Sequence, residues 1–322
     1  MAGVTLKDAL KTVSGVVLSK SRPMLAHVVA TRFCNLDCAY CNEFDKVSKP
    51  VPLDDMIARI DALARLKTLI VTLTGGEPLT HPDLEAVIAR IRQHGMIATT
   101  ITNGFLLTVE RIRSLNEAGL QELQISIDGV KPDAVSLKTL KSLRGKLQLL
   151  ADHATFHVNI NSVLGISEER TRDALEVAEV ARGHGFSHTV GVLHDGEGSL
   201  APLSPTQRQV YDQLMESSGS IAHRLNYLLF QKNLMDGQPN QWRCRAGARY
   251  LYICEFGLVH YCSQQRGLPG TPLADYGRDD IAREYLTEKS CAPYCTVNCV
   301  HQASFLDRWR APQRPAPQPV LQ

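Results

Sequence analysis

Two kinds of hydrophobic pattern alternate along the chain. Short β-branched runs occur at AHVVATRF (26–33), LIVTLTGG (69–76), MIATTITNG (96–104), LQISIDG (123–129), FHVNINSVLG (156–165) and HTVGVLHDG (188–196). Each reads as a continuous apolar segment, the pattern of a strand buried on both faces of a parallel sheet. Between them, apolar positions recur at helical spacing. One helix carries Met56, Ile60 and Leu63 inward behind a cap at Asp54 or Asp55. A second carries Leu84, Val87, Ile88 and Ile91 and stops at Gly95, and a third carries Ile112, Leu115 and Ala118 and stops at Gly119. Six such βα units predict an α/β fold. Six are too few to close an eight-stranded barrel, so the expected architecture is a partial (β/α)6 barrel with an open side.

Polar residues gather where such a sheet binds ligands. Gly75–Pro78, Asn103–Gly104, Ser126–Asp128, Asn159–Ser162 and His194–Asp195 all fall at or just past the C-terminal ends of their strands. After Pro205 the pattern changes to helical stretches at 206–217 and 221–236, the second with Leu225, Leu228, Leu229 and Met235. Gly237–Asn240 breaks the chain, and a Cys-rich, loop-like segment runs from 242 to 300. The expected division is an N-terminal helical segment (1–25), the barrel (26–203), connecting helices (204–240), a C-terminal extension (241–310) and a proline-rich disordered tail (311–322).

A net charge of +2 supplies no field for nucleic acid or an anionic membrane. The apolar run Val13–Leu18 is too short to span a bilayer, and no small-residue cleavage site follows a charged start. It reads as an amphipathic docking helix, and a cytoplasmic location without membrane insertion is expected. Cysteine usage is the anomaly: of nine cysteines, three lie at 34–41 and six at 244–299. An odd count without a secretion signal argues against a disulfide framework and for metal or redox chemistry.

Cys34-Asn-Leu-Asp-Cys38-Ala-Tyr-Cys41 follows the first strand directly. Three thiolates on one loop can hold three irons of an iron–sulfur cube and leave the fourth open, as a substrate-binding metal requires. A zinc knuckle is the competing reading, but it wants a fourth Cys or His; neither His27 nor His81 has an evident part in one.

CNLDCAYC resembles the CxxxCxΦC signature of the radical S-adenosylmethionine superfamily, with Tyr40 in the aromatic slot. Gly75-Gly76-Glu77-Pro78 resembles that superfamily's GGEP motif, and Asn103-Gly104 and Ser126-Ile127-Asp128-Gly129 are similar to the segments after its third and fourth strands. The resemblance covers residues 26 to 195. It implies that S-adenosylmethionine chelates the open iron of a 4Fe–4S cluster on Cys34, Cys38 and Cys41. Reductive cleavage then gives a 5′-deoxyadenosyl radical that abstracts a hydrogen atom from substrate. On this resemblance the Gly75–Gly76 backbone approaches the methionyl moiety, and Glu77 or adjacent carbonyls accept from its ammonium group. Ser126 and Asp128, or Asn159 and Asn161, are expected at the ribose hydroxyls and carboxylate, and Val192–His194 where adenine stacks. Against each of these last stands the plain alternative that polar residues are common at strand ends.

The second cysteine group reads Cys244-x12-Gly257-x4-Cys262, then Cys291-Ala-Pro-Tyr-Cys295-Thr-Val-Asn-Cys299. It resembles the SPASM/twitch extension of the same superfamily, a hairpin and helix holding auxiliary 4Fe–4S clusters. The stretch 251–262 fits the hairpin, with Glu255–Gly257 at its turn. The C-x2-C-x5-C spacing of the two-cluster form is missing, so one auxiliary cluster, the twitch form, is expected. Cys244 and Cys262 are the fixed ligands. Cys295 and Cys299 are favoured to complete the set because they precede a helical stretch at Val300–Trp309, with Cys291 in reserve. A structural zinc on these cysteines is the alternative. Cys254 reads as a buried inert thiol or a hydrogen-atom donor, and Tyr261 and His260 as facing either the cluster or solvent.

The function these features favour is an oxidising radical enzyme acting on a peptide or small natural product, fed by a reductant such as flavodoxin or ferredoxin. Redox-neutral chemistry, epimerisation or adenosyl transfer, is the second reading. A non-catalytic iron–sulfur or zinc scaffold is the third, and it has no use for a GGEP motif.

Overall fold

The computed structural model describes residues 15, 18–165, 168, 170–192, 202–216, 221–305 and 307–310. Six parallel strands follow one another in sequence: β1 (Leu25–Thr31), β2 (Ile70–Gly75), β3 (Ile97–Thr102), β4 (Glu122–Ser126), β5 (His157–Leu164) and β6 (Ser187–Val192). Helices α1 (Leu53–Arg65), α2 (Leu84–Gln93), α3 (Val109–Ala118), α4 (Leu140–His153) and α5 (Asp173–Gly183) return the chain between them. The sheet order β6-β5-β4-β3-β2-β1 is that of the expected partial barrel. The sheet does not end there. β7 (Tyr250–Ile253) pairs in parallel with β1, and β8 (Leu258–His260) and β9 (Thr271–Pro272) continue it antiparallel. The C-terminal hairpin is thus part of the barrel's own sheet.

The core lies between sheet and helices. Val28, Val71, Leu73, Leu123, Ile125 and Ile160 meet Ile60, Leu63, Val87, Ile91, Leu115, Leu143 and Leu147 in one buried cluster. This layer removes the apolar face of every helix from water, the largest favourable term available to the fold. From β2 to β6 the opposite face carries a row of polar side chains, which corrects the expectation of apolar faces on both sides there, while Val29, Tyr250 and Tyr252 keep it apolar at β1 and β7. Thr72 and Thr99 Oγ1 atoms are 2.7 Å apart, Asn159 Nδ2 donates to Gln124 at 3.2 Å, and Thr189 Oγ1 donates to Asn161 at 3.0 Å. A partial barrel has an interior to fill, and this chain fills it with a hydrogen-bonded ladder.

Two helix ends differ from the pattern. Pro52, not an aspartate, stands at the N-cap of α1; Asp54 and Asp55 lie inside the first turn, where they favour the helix dipole without capping. α2 ends at Gln93 with His94 as its cap and Gly95 next in the left-handed conformation (φ 72°), and α3 ends on Gly119 in the same conformation, both stops as expected. The connecting region forms α6 (Pro205–Glu216), α7 (Ile221–Asn226), a wide π turn at Tyr227–Gln231 and α8 (Lys232–Met235). The wide turn rotates the apolar stripe: Phe230, Leu234 and Met235 are buried while Leu225 and Leu228 are exposed. α9 (Arg278–Leu286) and α10 (Asn298–Phe305) complete the chain; α10 starts before Val300 and gives way to a separate turn at Arg308–Arg310. Among the described residues no helix is long and apolar enough to cross a membrane. The run at Val13–Leu18 (save residues 15 and 18), His194–Asp195 and the 311–322 tail lie outside the described residues.

Candidate active site

The sequence hands the cysteine loop straight from the end of β1 to the end of β2. Gly76 N–H donates to the Thr31 carbonyl and Glu77 N–H to the Phe33 carbonyl, both at 2.8 Å. The two glycines are required by this approach: a Cβ on Gly75 (φ 128°) would lie 2.1 Å from the Thr31 oxygen, and one on Gly76 would lie 2.3 Å from two carbonyl oxygens. Their missing side chains make room for the cysteine loop itself.

Glu77 is not lined by solvent. It is fully buried, and its carboxylate accepts from Leu79 N–H (3.0 Å), Thr102 Oγ1 (2.6 Å) and Asn103 N–H (2.7 Å). Burial raises its pKa against the opposing pull of these donors. Glu77 therefore fastens the end of β2 to the end of β3, with three of its roughly four acceptor sites in use. Asn103, also buried, donates to Asn35 Oδ1 at 2.7 Å and reaches Cys34 Sγ at 3.7 Å.

A cavity of about 140 Å³ opens among Cys34, Cys38, Cys41, Gly75, Gly76, Asn103, Ser126 and Lys138. Cys34 is buried and Cys38 and Cys41 are half-buried. Burial raises the Cys34 and Cys41 thiols, while Leu36 N–H lowers Cys34 and Lys138 lowers Cys41. Tyr40 faces the β4–α4 loop: its hydroxyl donates to Asp128 and accepts from Lys138 Nζ at 2.6 Å. Burial first, and the Asp128 charge second, push that phenol far above its ordinary range.

Strand register separates the remaining residues. Ser126 lies beside Asn161, with Thr189 next in the row, whereas Asn159 pairs with Gln124 one layer deeper. Asn159 is buried and bonded to Gln124, Thr189 and Ser187. Asp128 is buried against Tyr40, Ser136 and Lys138. Val192 packs on the helix side with Leu164, Val190, Tyr211 and Leu214. The structure thus brings Tyr40, Gly75, Gly76, Asn103 and Ser126 to the three cysteines. It sets Asn159 beneath them and Val192 outside. Asn35, Ser136 and Lys138 join the site from positions with no periodic or motif signal.

The second thiol group sits in an apolar cluster with Val29, Tyr250, Tyr252, Val300 and Ala303. Burial pushes Cys244 up to about 12, with Cys262 and Cys291 adding like-charge repulsion. Cys295, also raised by burial, has Cys262, Cys244 and Cys291 as charged neighbours. Burial takes Cys299 to about 12 as well; of the other thiols it has Cys262 as its neighbour, and it accepts from Tyr250. The turn at Ala292–Tyr294 folds Cys295 back toward Cys291, its N–H donating to the Ala292 carbonyl at 3.3 Å. Cys291 and Cys295 flank this turn, and Cys299 lies in the first turn of α10. Cys254, the residue after β7, is buried in the cluster with Tyr250 and Tyr252, and His260 is buried with its Nδ1 unpartnered. Among the described residues no three His, Cys, Asp or Glu side chains converge tightly enough for a single metal ion. Cys34, Cys38 and Cys41 line one cavity, and thiolates are the donors iron–sulfur clusters use.

The two sets are joined. Tyr252 Oη donates to Glu43 Oε2 at 2.6 Å, and Arg266 reaches both the Asn42 carbonyl (3.4 Å) and Glu255 (2.9 Å). The hairpin therefore holds the far end of the cysteine loop.

Comparison with known proteins bears on this arrangement. Residues 28–198, over half of the chain, match the model of the radical SAM superfamily. The PqqA peptide cyclase of Methylocella silvestris is 37% identical over 259 residues, 74% of this chain and 68% of that one. The AdoMet-dependent heme synthase of Methanosarcina barkeri is 34% identical over 121 residues, 37% of this chain and only 35% of its own length. Among solved structures, Streptococcus suis SuiB bound to its precursor peptide SuiA matches with a TM-score of 0.63 at 15% identity, covering 92% of this chain and 75% of that one, a likeness of fold. The cysteine loop, the glycine pair that seats it and the matched span agree, and this chain belongs to the radical SAM superfamily.

Proposed function

We propose that this enzyme uses S-adenosylmethionine to start radical chemistry on a peptide, with net two-electron oxidation through a second cluster at the C-terminal thiols. The observation that carries the proposal is the single cavity bringing Cys34, Cys38 and Cys41 together with Gly75, Gly76, Asn103 and Ser126. When bound, a reduced 4Fe–4S cluster and S-adenosylmethionine supply the 5′-deoxyadenosyl radical that abstracts hydrogen. Cys34, Cys38 and Cys41 would hold the cluster. The Gly75–Gly76 backbone would receive the methionyl group, and adjacent backbone carbonyls, or the one acceptor site left on Glu77 Oε2, would accept from the ammonium. Ser126 and Asn161, neighbours in register, are the pair for the ribose.

The C-terminal site would take Cys244 and Cys262 with two of Cys291, Cys295 and Cys299; Cys244, Cys262 and Cys295 are buried. Four thiolates leave no open iron, which suits such a site to accepting an electron rather than binding substrate. A peptide substrate is supported by the PqqA peptide cyclase relative and by the likeness of fold to SuiB. A flavodoxin or ferredoxin would supply the first electron. The test is anaerobic reconstitution with iron and sulfide, reduction, and assay of 5′-deoxyadenosine from S-adenosylmethionine. Product is expected at once; a fully loaded, reduced protein that forms none contradicts the proposal.

A further inference from the structure

The loop between β4 and α4 lies across the cysteine loop and grips it at three points. Ala39 N–H donates to the Val135 carbonyl at 3.0 Å. Ser136 Oγ donates to Asp128 at 2.6 Å and stands 3.6 Å from Cys38 Sγ. Lys138 Nζ donates to the Tyr40 hydroxyl at 2.6 Å, lies 3.3 Å from the Asp128 carboxylate and sits 5.1 Å from the centre of the Tyr40 ring. Tyr40 in turn donates to Asp128. Cation, phenol and carboxylate form a closed triangle, with the Asp128 side chain fully buried and that of Lys138 13% exposed.

We propose that Lys138 is a positioning residue for the cysteine loop: acting through Tyr40 and Asp128, it holds the Cys38–Cys41 arc in the geometry that grips the cluster. This rests on the reading that these cysteines carry a cluster. Charge-assisted hydrogen bonds in a dry surround are the strong kind, and here they converge on the residue directly before Cys41. Removing the ammonium leaves the Asp128 carboxylate buried without a cation, and its Oδ1 already has no partner. A buried charge left unpaired pulls in water or rearranges. The element that must move is the one it holds, the Tyr40 hydroxyl.

The test uses the full chain, reconstituted anaerobically, as wild type, Lys138→Met, Lys138→Arg, Tyr40→Phe and the Lys138→Met/Tyr40→Phe pair. The readouts are the rate of iron release to a chelator and the electron paramagnetic resonance signal that responds to S-adenosylmethionine. Lys138→Met and Tyr40→Phe should each speed loss of that signal by at least about tenfold, the scale of one charge-assisted hydrogen bond. The pair should be no faster than the worse single change, since both act through one contact. Lys138→Arg should fall near wild type. Tyr40→Phe behaving as wild type while Lys138→Met loses its cluster would overturn the proposal, because the charge alone would then matter. Unchanged release in every variant would overturn it too. A wild type that takes up no cluster sinks the reading beneath it as well, which keeps the two failures apart.

Discussion

The two thiol groups of this molecule sit in opposite surroundings. Cys38 and Cys41 are half-buried on a cavity wall, and their loop is fixed by polar contacts of Asn103 with Asn35, Ser136 with Cys38 and Lys138 with Tyr40. Cys244, Cys262 and Cys295 are buried, and Cys244 and Cys262 share an apolar cluster with tyrosines and aliphatic side chains. The first set has open space before it for a ligand to share. The second is more enclosed at Cys244, Cys262 and Cys295, although Cys291 is exposed, Cys299 is half-buried and Cys244 borders a cavity of about 240 Å³. On the proposed function the first set would serve exchange and the second electron transfer, and the difference lies in what surrounds the sulfur.

The largest effect should come from removing the first set. Changing Cys34, Cys38 and Cys41 together to alanine should abolish S-adenosylmethionine cleavage while the C-terminal absorbance stays. Residual 5′-deoxyadenosine above background would break the division of labour.

Glu77→Ala comes next, and it is a stability prediction. Three donors lose their acceptor in a fully buried position, at a cost of about 3 kcal/mol. Denaturant unfolding should show that loss in the protein without cofactor. A variant as stable as wild type but slack toward S-adenosylmethionine would return Glu77 to the role of a ligand.

The buried thiols set a pH limit on the metal-free protein. Cys244 moves from an ordinary value of 9.0 to about 12 on folding. A raised folded pKa means the native state keeps its proton longer, so its stability is whole below pH 9 and declines as pH rises toward 12. The loss should be roughly 1.4 kcal/mol per pH unit for each such thiol. Thermal melts of the metal-free protein across that range should fall, and melts of the metal-loaded protein should not, because bound thiolates have already released their protons. Flat melts of the metal-free form would place these thiols in water.

The smallest effect tests the link between the regions. Tyr252→Phe removes one hydrogen bond to Glu43, worth about 1 kcal/mol. It should loosen the cysteine loop, seen as faster amide exchange at residues 42–45, and leave the C-terminal absorbance unchanged. Protection equal to wild type would mean Arg266 alone carries the contact.

The six strands were legible because each is a run of β-branched residues bounded by turns, and three helices announced themselves by their apolar spacing. β7 was not legible as a barrel strand. Tyr250–Ile253 is four residues long, and its pairing with β1 depends on contacts more than 200 positions apart, which no local pattern encodes. The three cysteines and the glycine pair could be read because their chemistry demands close spacing. The burial of Glu77 was not legible, for the opposite reason. Its partners Thr102 and Asn103 come from the next strand, so a carboxylate that looks solvent-facing is enclosed on folding. Val192 shared the strand-end signal, but one position of β-strand register turns a side chain from the interior to the helix layer. Lys138, Ser136 and Asn35 carry no signal at all, since loop residues are placed by tertiary contacts.

The most direct measurement of the contrast between the two sets is electron paramagnetic resonance of the reduced, reconstituted protein with and without S-adenosylmethionine. A shift of one cluster signal is expected, absent in the Cys34/Cys38/Cys41 triple variant, while the signal of the C-terminal thiols stays unmoved. A shift that survives in the triple variant would show an open iron at the buried set and contradict the account.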